Sequence, residues 1–134
     1  MLQLIEFVAA LAALIIIHEL GHFAACRIFK IEVEEFGIGF PPRLKRLFTL
    51  GGTEYTLNWI PLGGFVRPRG ENDPTIPGSL AAANPWVRIG VYLAGPLSNL
   101  LVAVLLYAII ISRIGFTDPA RLNEVMVTGI SAGS

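Results

Sequence analysis

The chain has 134 residues, no formal net charge and an apolar composition, with 54% hydrophobic and 15% charged residues. Soluble domains carry roughly 25% charged residues, so this composition favours a membrane protein. The balanced charge gives no indication of a nucleic-acid partner. The single cysteine, Cys26, excludes an intrachain disulfide framework.

The first apolar segment extends from the N-terminus to Phe29. A helix over it would be about 40 Å long at about 1.5 Å per residue, enough to cross the hydrocarbon core of a bilayer. The segment lacks the positively charged start and the small-residue cleavage site of a secretory signal peptide. We therefore expect residues 1–30 to form a retained transmembrane helix.

Residues 31–83 have the pattern of a small antiparallel β-sheet. Ile31–Glu34 and Thr53–Trp59 alternate with period two and are rich in β-branched and aromatic residues. Residues 71–78 are polar and contain proline, which indicates a surface loop. Glycines and prolines predict turns at Gly51–Gly52, Pro61, Gly63–Gly64 and Pro68. The acidic residues interpreted as solvated charges are Glu32, Glu34, Glu35 and Asp73.

The second apolar segment occupies residues 84–115 and begins with a helix-start signal. Asn84 is a suitable cap, and proline is tolerated at the first helical position that follows it. Gly95–Pro96 interrupts the segment, because proline removes a backbone donor. The pattern predicts an interfacial helix, a break or kink, and a second transmembrane helix from Pro96. Residues 116–134 are predicted to be a linker followed by a strand.

Lysine and arginine are concentrated between the two apolar segments and are absent from residues 1–17. Positively charged residues flanking transmembrane helices remain in the cytoplasm. The distribution therefore predicts a cytoplasmic central segment, with both termini of the chain outside.

His18, Glu19 and His22 form an H-E-x-x-H motif inside the first apolar segment. Histidines four residues apart lie on one helical face, so both imidazoles can reach one zinc ion. Glu19 flanks that face and can act as the general base on a water activated by the ion. Polar, ionisable side chains within a transmembrane helix are costly, which favours a functional interpretation over a solvated helix end.

Two histidines do not complete a catalytic zinc site, which usually has three protein ligands and an open position. The sequence contains no third histidine. Cys26 lies about 12 Å along the helix axis from His18, too far to join both histidines on one ion, and is interpreted as a packing residue. We expect the third ligand to come from outside this chain.

The chain resembles the site-2 protease family of intramembrane zinc metalloproteases, in the branch that includes the regulator of sigma-E protease. The resemblance is carried by several motifs and by their order along the chain. They cover nearly the whole chain: His18–Phe23, Phe36–Phe40, Gly52–Tyr55, Ile60–Val66 and Ala94–Asn99. The resemblance implies a mainly α-helical membrane protein with two transmembrane helices and an intervening small membrane-associated antiparallel β-sheet. It also implies that residues 116–134 begin a truncated PDZ module, and that an aspartate on a later helix is the third zinc ligand.

The resemblance further implies the N-terminal part of a protease of the inner (plasma) membrane that hydrolyses peptide bonds within membrane-spanning segments. The implied partners, besides the lipid bilayer, are single-span membrane proteins such as anti-sigma factors or signal-peptide remnants. Candidate substrate-binding or packing residues are Gly63, Gly64, Gly95, Pro96 and Asn99. For all five a purely structural role remains open.

Two other classes of protein remain open. One is a metal-binding membrane protein without proteolytic activity, which would use the same histidines. The other is a catalytically silent scaffold that binds transmembrane helices through its sheet and second helix. Glu19 argues against both, because neither needs a carboxylate beside the histidines.

Overall fold

A computed structural model describes residues 1–114 of the chain. It contains helix α1 (Leu2–Ile28), strand β1 (Val33–Leu50), strand β2 (Thr53–Pro68) and helix α2 (Pro85–Ile114). Residues 1–100 form one compact unit, and residues 101–114 belong to a second one in which α2 continues. The prediction of two apolar helices with an antiparallel sheet between them is confirmed. The predicted linker and PDZ start, 116–134, lie outside the described residues.

Both helices are long and apolar enough to cross a membrane, judged by length and composition. Helix α1 is apolar around its whole circumference, as expected for a helix surrounded by lipid or by protein. It ends at Ile28, and Lys30 adopts a left-handed backbone with φ 59°. That conformation stops the helix and directs the chain into strand β1.

Strands β1 and β2 pair antiparallel and are joined by a turn at Gly51–Gly52, whose φ angles of +58° and +83° match the predicted turn. Next to the turn Leu50 lies opposite Thr53. Both strands then bend, so that residues 35–38 of β1 have partners in two segments of β2, 54–57 and 64–67. Within the described residues, the 64–68 segment therefore forms an outer edge of the sheet.

The prediction of turns at Pro61 and Gly63–Gly64 is wrong, because all three residues lie inside strand β2. Gly63 has φ +102°, a conformation that a β-branched residue would not adopt readily. Glycine and proline here accompany a bend within a long strand rather than its end. The bend lies between the two segments of β2, 54–57 and 64–67, that pair with the same residues of β1, 35–38.

A break or kink was predicted at Gly95–Pro96, and the break is wrong, since helix α2 is continuous and contains Pro96. Pro96 has no N–H group to bond the carbonyl one turn earlier, so the helix loses one hydrogen bond. Apolar helices tolerate that loss where neighbouring groups satisfy the backbone. The carbonyl freed in this way is that of Tyr92, four residues before Pro96.

The buried core joins all parts of the compact unit at the C-terminal end of α1. It combines residues from α1, the start of β1, the loop before α2 and the first turns of α2. Its members are Ala25, Cys26, Ile31, Val33, Leu80 and Val91. Cys26 is fully buried there, as its interpretation as a packing residue requires.

Glu35 departs from the expectation of a solvated charge, because it is only 3% exposed. Its carboxylate accepts hydrogen bonds from Thr56 Oγ1 at 2.7 Å, from Arg43 at 2.8 Å and from Arg67 at 2.5 Å. Burial alone would raise the pKa of Glu35, but these hydrogen bonds and the two positive charges outweigh it and lower the pKa. The group ties together three strand segments of the sheet.

We expect Glu35→Gln to lower the thermal midpoint of the detergent-solubilised protein, at a cost of about 1–3 kcal/mol, because charge-assisted hydrogen bonds are lost. A matched control is Glu34→Gln, since Glu34 is half exposed and contacts Arg67 at 3.5 Å. Exposed ion pairs contribute about 0–1 kcal/mol, so this control should change little. Equal effects of the two variants would contradict a special role for Glu35.

The Glu35→Gln effect should depend on pH in a defined direction. Because folding lowers the pKa of Glu35, its contribution is complete above the unfolded-state pKa of about 4.3 and disappears as the pH falls through the lower folded-state value. The midpoints of the original protein and of the variant should therefore converge at acidic pH.

Candidate metal centre

The imidazoles of His18 and His22 converge on one point beside helix α1. Their Nε2 atoms are 3.1 Å apart, and the two rings are nearly perpendicular at 80°. Two nitrogens bound to one tetrahedral zinc at about 2.0–2.1 Å would lie about 3.3 Å apart. The helical spacing of four residues thus places both nitrogens where a single ion can hold them.

Helix α2 supplies the wall opposite these imidazoles through Val91, Gly95 and Asn99, which recur every four residues and share one helical face. The Val91 carbonyl accepts a hydrogen bond from His22 Nδ1 at 2.7 Å. This bond places the proton of a neutral His22 on Nδ1, so its Nε2 lone pair is available to a metal ion. Val91 is a core residue, which fixes that carbonyl.

Gly95 leaves the space that the two imidazoles occupy. A Cβ atom built there would lie 2.6 Å from His18 Nε2 and closer still to His22 Nε2. Any side chain at this position would displace both nitrogens. Gly95 is therefore part of the site by virtue of having no side chain.

Asn99, one turn after Gly95, reaches the other ring nitrogen of His18. Its Nδ2 atom lies 3.4 Å from His18 Nδ1, a long contact. Within the described residues its Oδ1 atom is buried and has no hydrogen-bond partner. Two of the three remaining candidates are less involved, since Pro96 is exposed and Gly63 is packed beneath the Phe40 ring.

A close contact between the helices fixes the position of α2 along the axis of α1. A Cβ atom at Gly21 would lie 2.6 Å from Ser98 Oγ and would collide with the Ala94 carbonyl. The Ser98 hydroxyl also lies 2.9 Å from the Ile17 carbonyl, the residue before His18. Small residues at such a contact allow backbones to approach, as is typical of membrane helices.

Glu19 contacts the sheet rather than α2. Its Oε2 atom accepts a hydrogen bond from the Val66 backbone N–H at 3.1 Å. Gly64 brings the strand close, since a Cβ there would lie 3.7 Å from Glu19 Cγ. One turn further along α1, Phe23 stacks edge-on against Phe36, with ring centroids 5.7 Å apart, and so docks the sheet on the helix.

Glu19 and His22 both line a cavity of about 520 Å³ between α1, the outer edge of β2 and the start of α2. Most of the other lining side chains are apolar, and Glu71 adds a second carboxylate from the loop. Sequence reasoning missed Glu71 and the Val66 N–H, for which no local pattern exists. The spacing of four between Val91, Gly95 and Asn99 was visible in the sequence, but it did not identify Val91.

The donor set fits a zinc ion in part. Two imidazole nitrogens converge, one with its tautomer fixed, and Gly95 leaves space for both of them. In residues 1–114 no group of three His, Cys, Asp or Glu side chains is close enough to hold a metal ion. Cys26 lies in the core, in agreement with its interpretation as a packing residue.

Comparisons with known proteins agree with these features. A protein named "Putative zinc metalloprotease" from Treponema pallidum is 38% identical to this chain over its whole length. The match covers 33% of the length of the Treponema protein. Proteins of the same name from Chlamydia trachomatis and Thermotoga maritima are 43% and 37% identical over 75% and 92% of the chain. The chain covers 18% and 25% of these two, so it spans about a third or less of its relatives.

The family model of peptidase family M50, the site-2 protease family, matches residues 6–131 of the chain. This match covers the H-E-x-x-H helix, the sheet and helix α2. It confirms the family resemblance seen in the sequence motifs. The chain therefore belongs to peptidase family M50, whose members are membrane proteins.

Proposed function

We propose that this chain is part of an intramembrane zinc metalloprotease that hydrolyses peptide bonds within membrane-spanning segments of its substrates. The observation that carries the proposal is the convergence of His18 and His22 Nε2 beside a carboxylate, Glu19, on a single cavity. A metal-binding protein without hydrolytic activity would need the two imidazoles but not the Glu19 carboxylate.

His18 and His22 would hold the ion, and when bound it would polarise the scissile carbonyl and promote ionisation of a water molecule. Glu19 takes a proton from that water and later delivers it to the leaving amine. The Val66 N–H holds the Glu19 carboxylate at the cavity wall, so the base is oriented before substrate enters. The apolar lining limits the access of bulk water to the reacting groups.

The outer edge of β2 provides a means of holding the substrate. A peptide bond within a helix is protected by the helix's own hydrogen bonds, so the segment must unwind before hydrolysis. An unwound segment can pair as an added strand with an exposed sheet edge. Residues 64–66 form such an edge and line the same cavity as Glu19 and His22.

The remaining parts of the proposal concern the complete protein. A third protein ligand comes from outside residues 1–114, as catalytic zinc requires. The protein lies in the inner membrane with its sheet and loop on the cytoplasmic side, in agreement with the lysine and arginine distribution. Its substrates are single-span membrane proteins such as anti-sigma factors or signal-peptide remnants.

The first prediction separates metal binding from catalysis. In the complete protein, Glu19→Gln should retain zinc while cleavage of a membrane substrate falls by on the order of a hundredfold or more, because an amide cannot accept the proton. His18→Ala or His22→Ala should abolish both zinc content and cleavage, since each removes a ligand. Zinc content is measured by elemental analysis and cleavage by the appearance of product.

A matched control is Glu6→Gln, which makes the same carboxylate-to-amide change on helix α1 at an exposed position, about 20 Å along the axis from Glu19. It should leave both zinc content and cleavage unchanged. Normal cleavage by Glu19→Gln would refute the protease mechanism and favour the non-proteolytic metal-binding protein.

The second prediction concerns the substrate edge. The Val66 N–H bonds Glu19, so it points away from β1, and Val66→Pro removes it without breaking the ladder between the strands. If the edge pairs with substrate, KM for a membrane substrate should rise severalfold at unchanged zinc content. Val66→Ala keeps the N–H and is the control. The lost contact with Glu19 should also lower kcat, so a fall in kcat at unchanged KM would count against strand addition.

The third prediction concerns orientation in the membrane. A cysteine at Asn72, an exposed loop position, should be protected from an impermeant thiol reagent added to intact cells, while one at Asp118 should react. The native Cys26 is fully buried and should remain unlabelled in both variants. The opposite labelling pattern would invert the topology and place the cavity towards the outside.

A further inference from the structure

We infer that Asn99 is a positioning residue for the metal centre, whose side-chain oxygen accepts the Nδ1 proton of His18 and so directs His18 Nε2 towards the ion. The inference rests on the proposed zinc site and adds to it a residue on α2 that sets the tautomer of a ligand on α1. Two observations carry it: the contact with His18 Nδ1 and the unpartnered amide oxygen.

The hydrogen-bond chain with the amide nitrogen facing His18 is incompatible with zinc bound to His18 Nε2. In that arrangement Asn99 Nδ2 donates to His18 Nδ1, so the proton of a neutral His18 must sit on Nε2. That proton points at His22 Nε2, 3.1 Å away. His22 Nε2 can accept it, because the His22 proton is held on Nδ1 by the Val91 carbonyl. A protonated His18 Nε2 cannot bind zinc.

The same arrangement leaves the Asn99 oxygen unsatisfied. Oδ1 is buried, and a buried acceptor without a partner costs about 1–3 kcal/mol. The neighbouring cavity, lined by Leu14, Ile15, His18 and Asn99, leaves this atom covered, so water there does not reach it. The amide orientation with the nitrogen facing His18 is therefore unfavourable for Asn99 itself among the described residues.

A half-turn of the Asn99 amide about its last side-chain bond exchanges the oxygen and the nitrogen without moving the backbone. The oxygen then faces His18 Nδ1 and accepts its proton, which satisfies the buried acceptor. His18 Nε2 is left with a free lone pair, matching His22 Nε2. Both ligands then have a hydrogen-bond acceptor behind them, Val91 O and Asn99 Oδ1, as metal-bound histidines usually do.

Asn99 is held in this place by the packing of the helices. Its neighbour Ser98 lies 2.9 Å from the Ile17 carbonyl, next to His18 on α1. Gly95, one turn earlier on the same face, lies against the Nε2 atoms themselves. The register that puts Gly95 against one side of the imidazoles therefore puts Asn99 against the far nitrogen of His18.

The test is the zinc affinity of the complete protein, measured by competition with a chelator of known affinity, together with the ligand-field spectrum of the cobalt-substituted protein. Asn99→Leu removes the acceptor at similar volume and should weaken zinc binding by about 10–100-fold and alter the cobalt spectrum. Asn99→Asp keeps an acceptor oxygen and should bind zinc at least as tightly as the original protein. If Asn99→Leu does not accumulate, Asn99→Ala carries the same expectation.

Asn72→Leu is the matched control, because it makes the same amide-to-leucine change at an exposed loop position that lines neither cavity beside the imidazoles. It should retain the zinc affinity and the cobalt spectrum even if it lowers thermal stability. Unchanged zinc affinity and spectrum in Asn99→Leu would overturn the inference and leave Asn99 as a packing residue. Failure of the original protein to bind zinc would instead refute the proposed function.

Discussion

The close packing of helix α2 against two imidazoles is the constraint on which the site depends. Gly95 has no side chain, and a single Cβ there would occupy the space of His18 and His22 Nε2. Gly21 has the corresponding role on α1, because a Cβ there would collide with the Ala94 carbonyl of α2. These two glycines bring the helices close enough for the backbone of α2 to serve as a hydrogen-bond partner. The His22–Val91 bond exists only because of that approach.

The sheet is positioned by a second set of contacts on another side of α1. Phe23 docks the sheet through Phe36 and Tyr55, and Glu19, one turn earlier, then meets the Val66 N–H. The buried Glu35 fixes the strand segments relative to one another, because its partners come from three places along β1 and β2. A buried charge of this kind is costly unless every lone pair is engaged, which makes the arrangement specific. The orientation of Glu19, the proposed general base, thus depends on a carboxylate that has no part in the proposed chemistry.

The candidate triplet of His18, Glu19 and His22 could be predicted from the sequence because it is local. Helical periodicity alone puts His18 and His22 on one face with Glu19 beside it. The order of two apolar helices around a sheet was predictable for the same reason. The predictions that were wrong depend on contacts between residues distant in sequence. Glu35 was predicted to be solvated, but it is buried against two arginines that lie eight and thirty-two residues away in the sequence. The break predicted at Pro96 does not occur, because α2 packs against α1 on both sides of the proline, at Ala94 and Ser98. The sequence does not reveal that packing.

The partners of the site residues were equally hidden, since they are backbone groups or amide ends supplied across long separations in sequence. Val66 N–H lies 47 residues from Glu19, and the Val91 carbonyl lies 69 residues from His22. A backbone group has no side-chain identity to recognise, so only the packing of elements can locate it. Gly95 illustrates the same limit, because its contribution is an absence of atoms that matters only against its neighbours.

Helices α1 and α2 and strand β2 each contribute a different part of the candidate site. Helix α1 carries the two imidazoles and the carboxylate, helix α2 determines which imidazole nitrogens are free, and strand β2 orients the carboxylate and offers an edge. Helix α1 by itself would present two histidines whose protons are unassigned and a glutamate without a partner. Since zinc binds only deprotonated ring nitrogens, the tautomers set by α2 are part of the metal affinity. A shift of α2 by one residue would replace Gly95 with a side-chain-bearing residue and remove both hydrogen-bond acceptors from the imidazoles. The metal centre is therefore a property of the helix–helix contact as much as of the H-E-x-x-H motif.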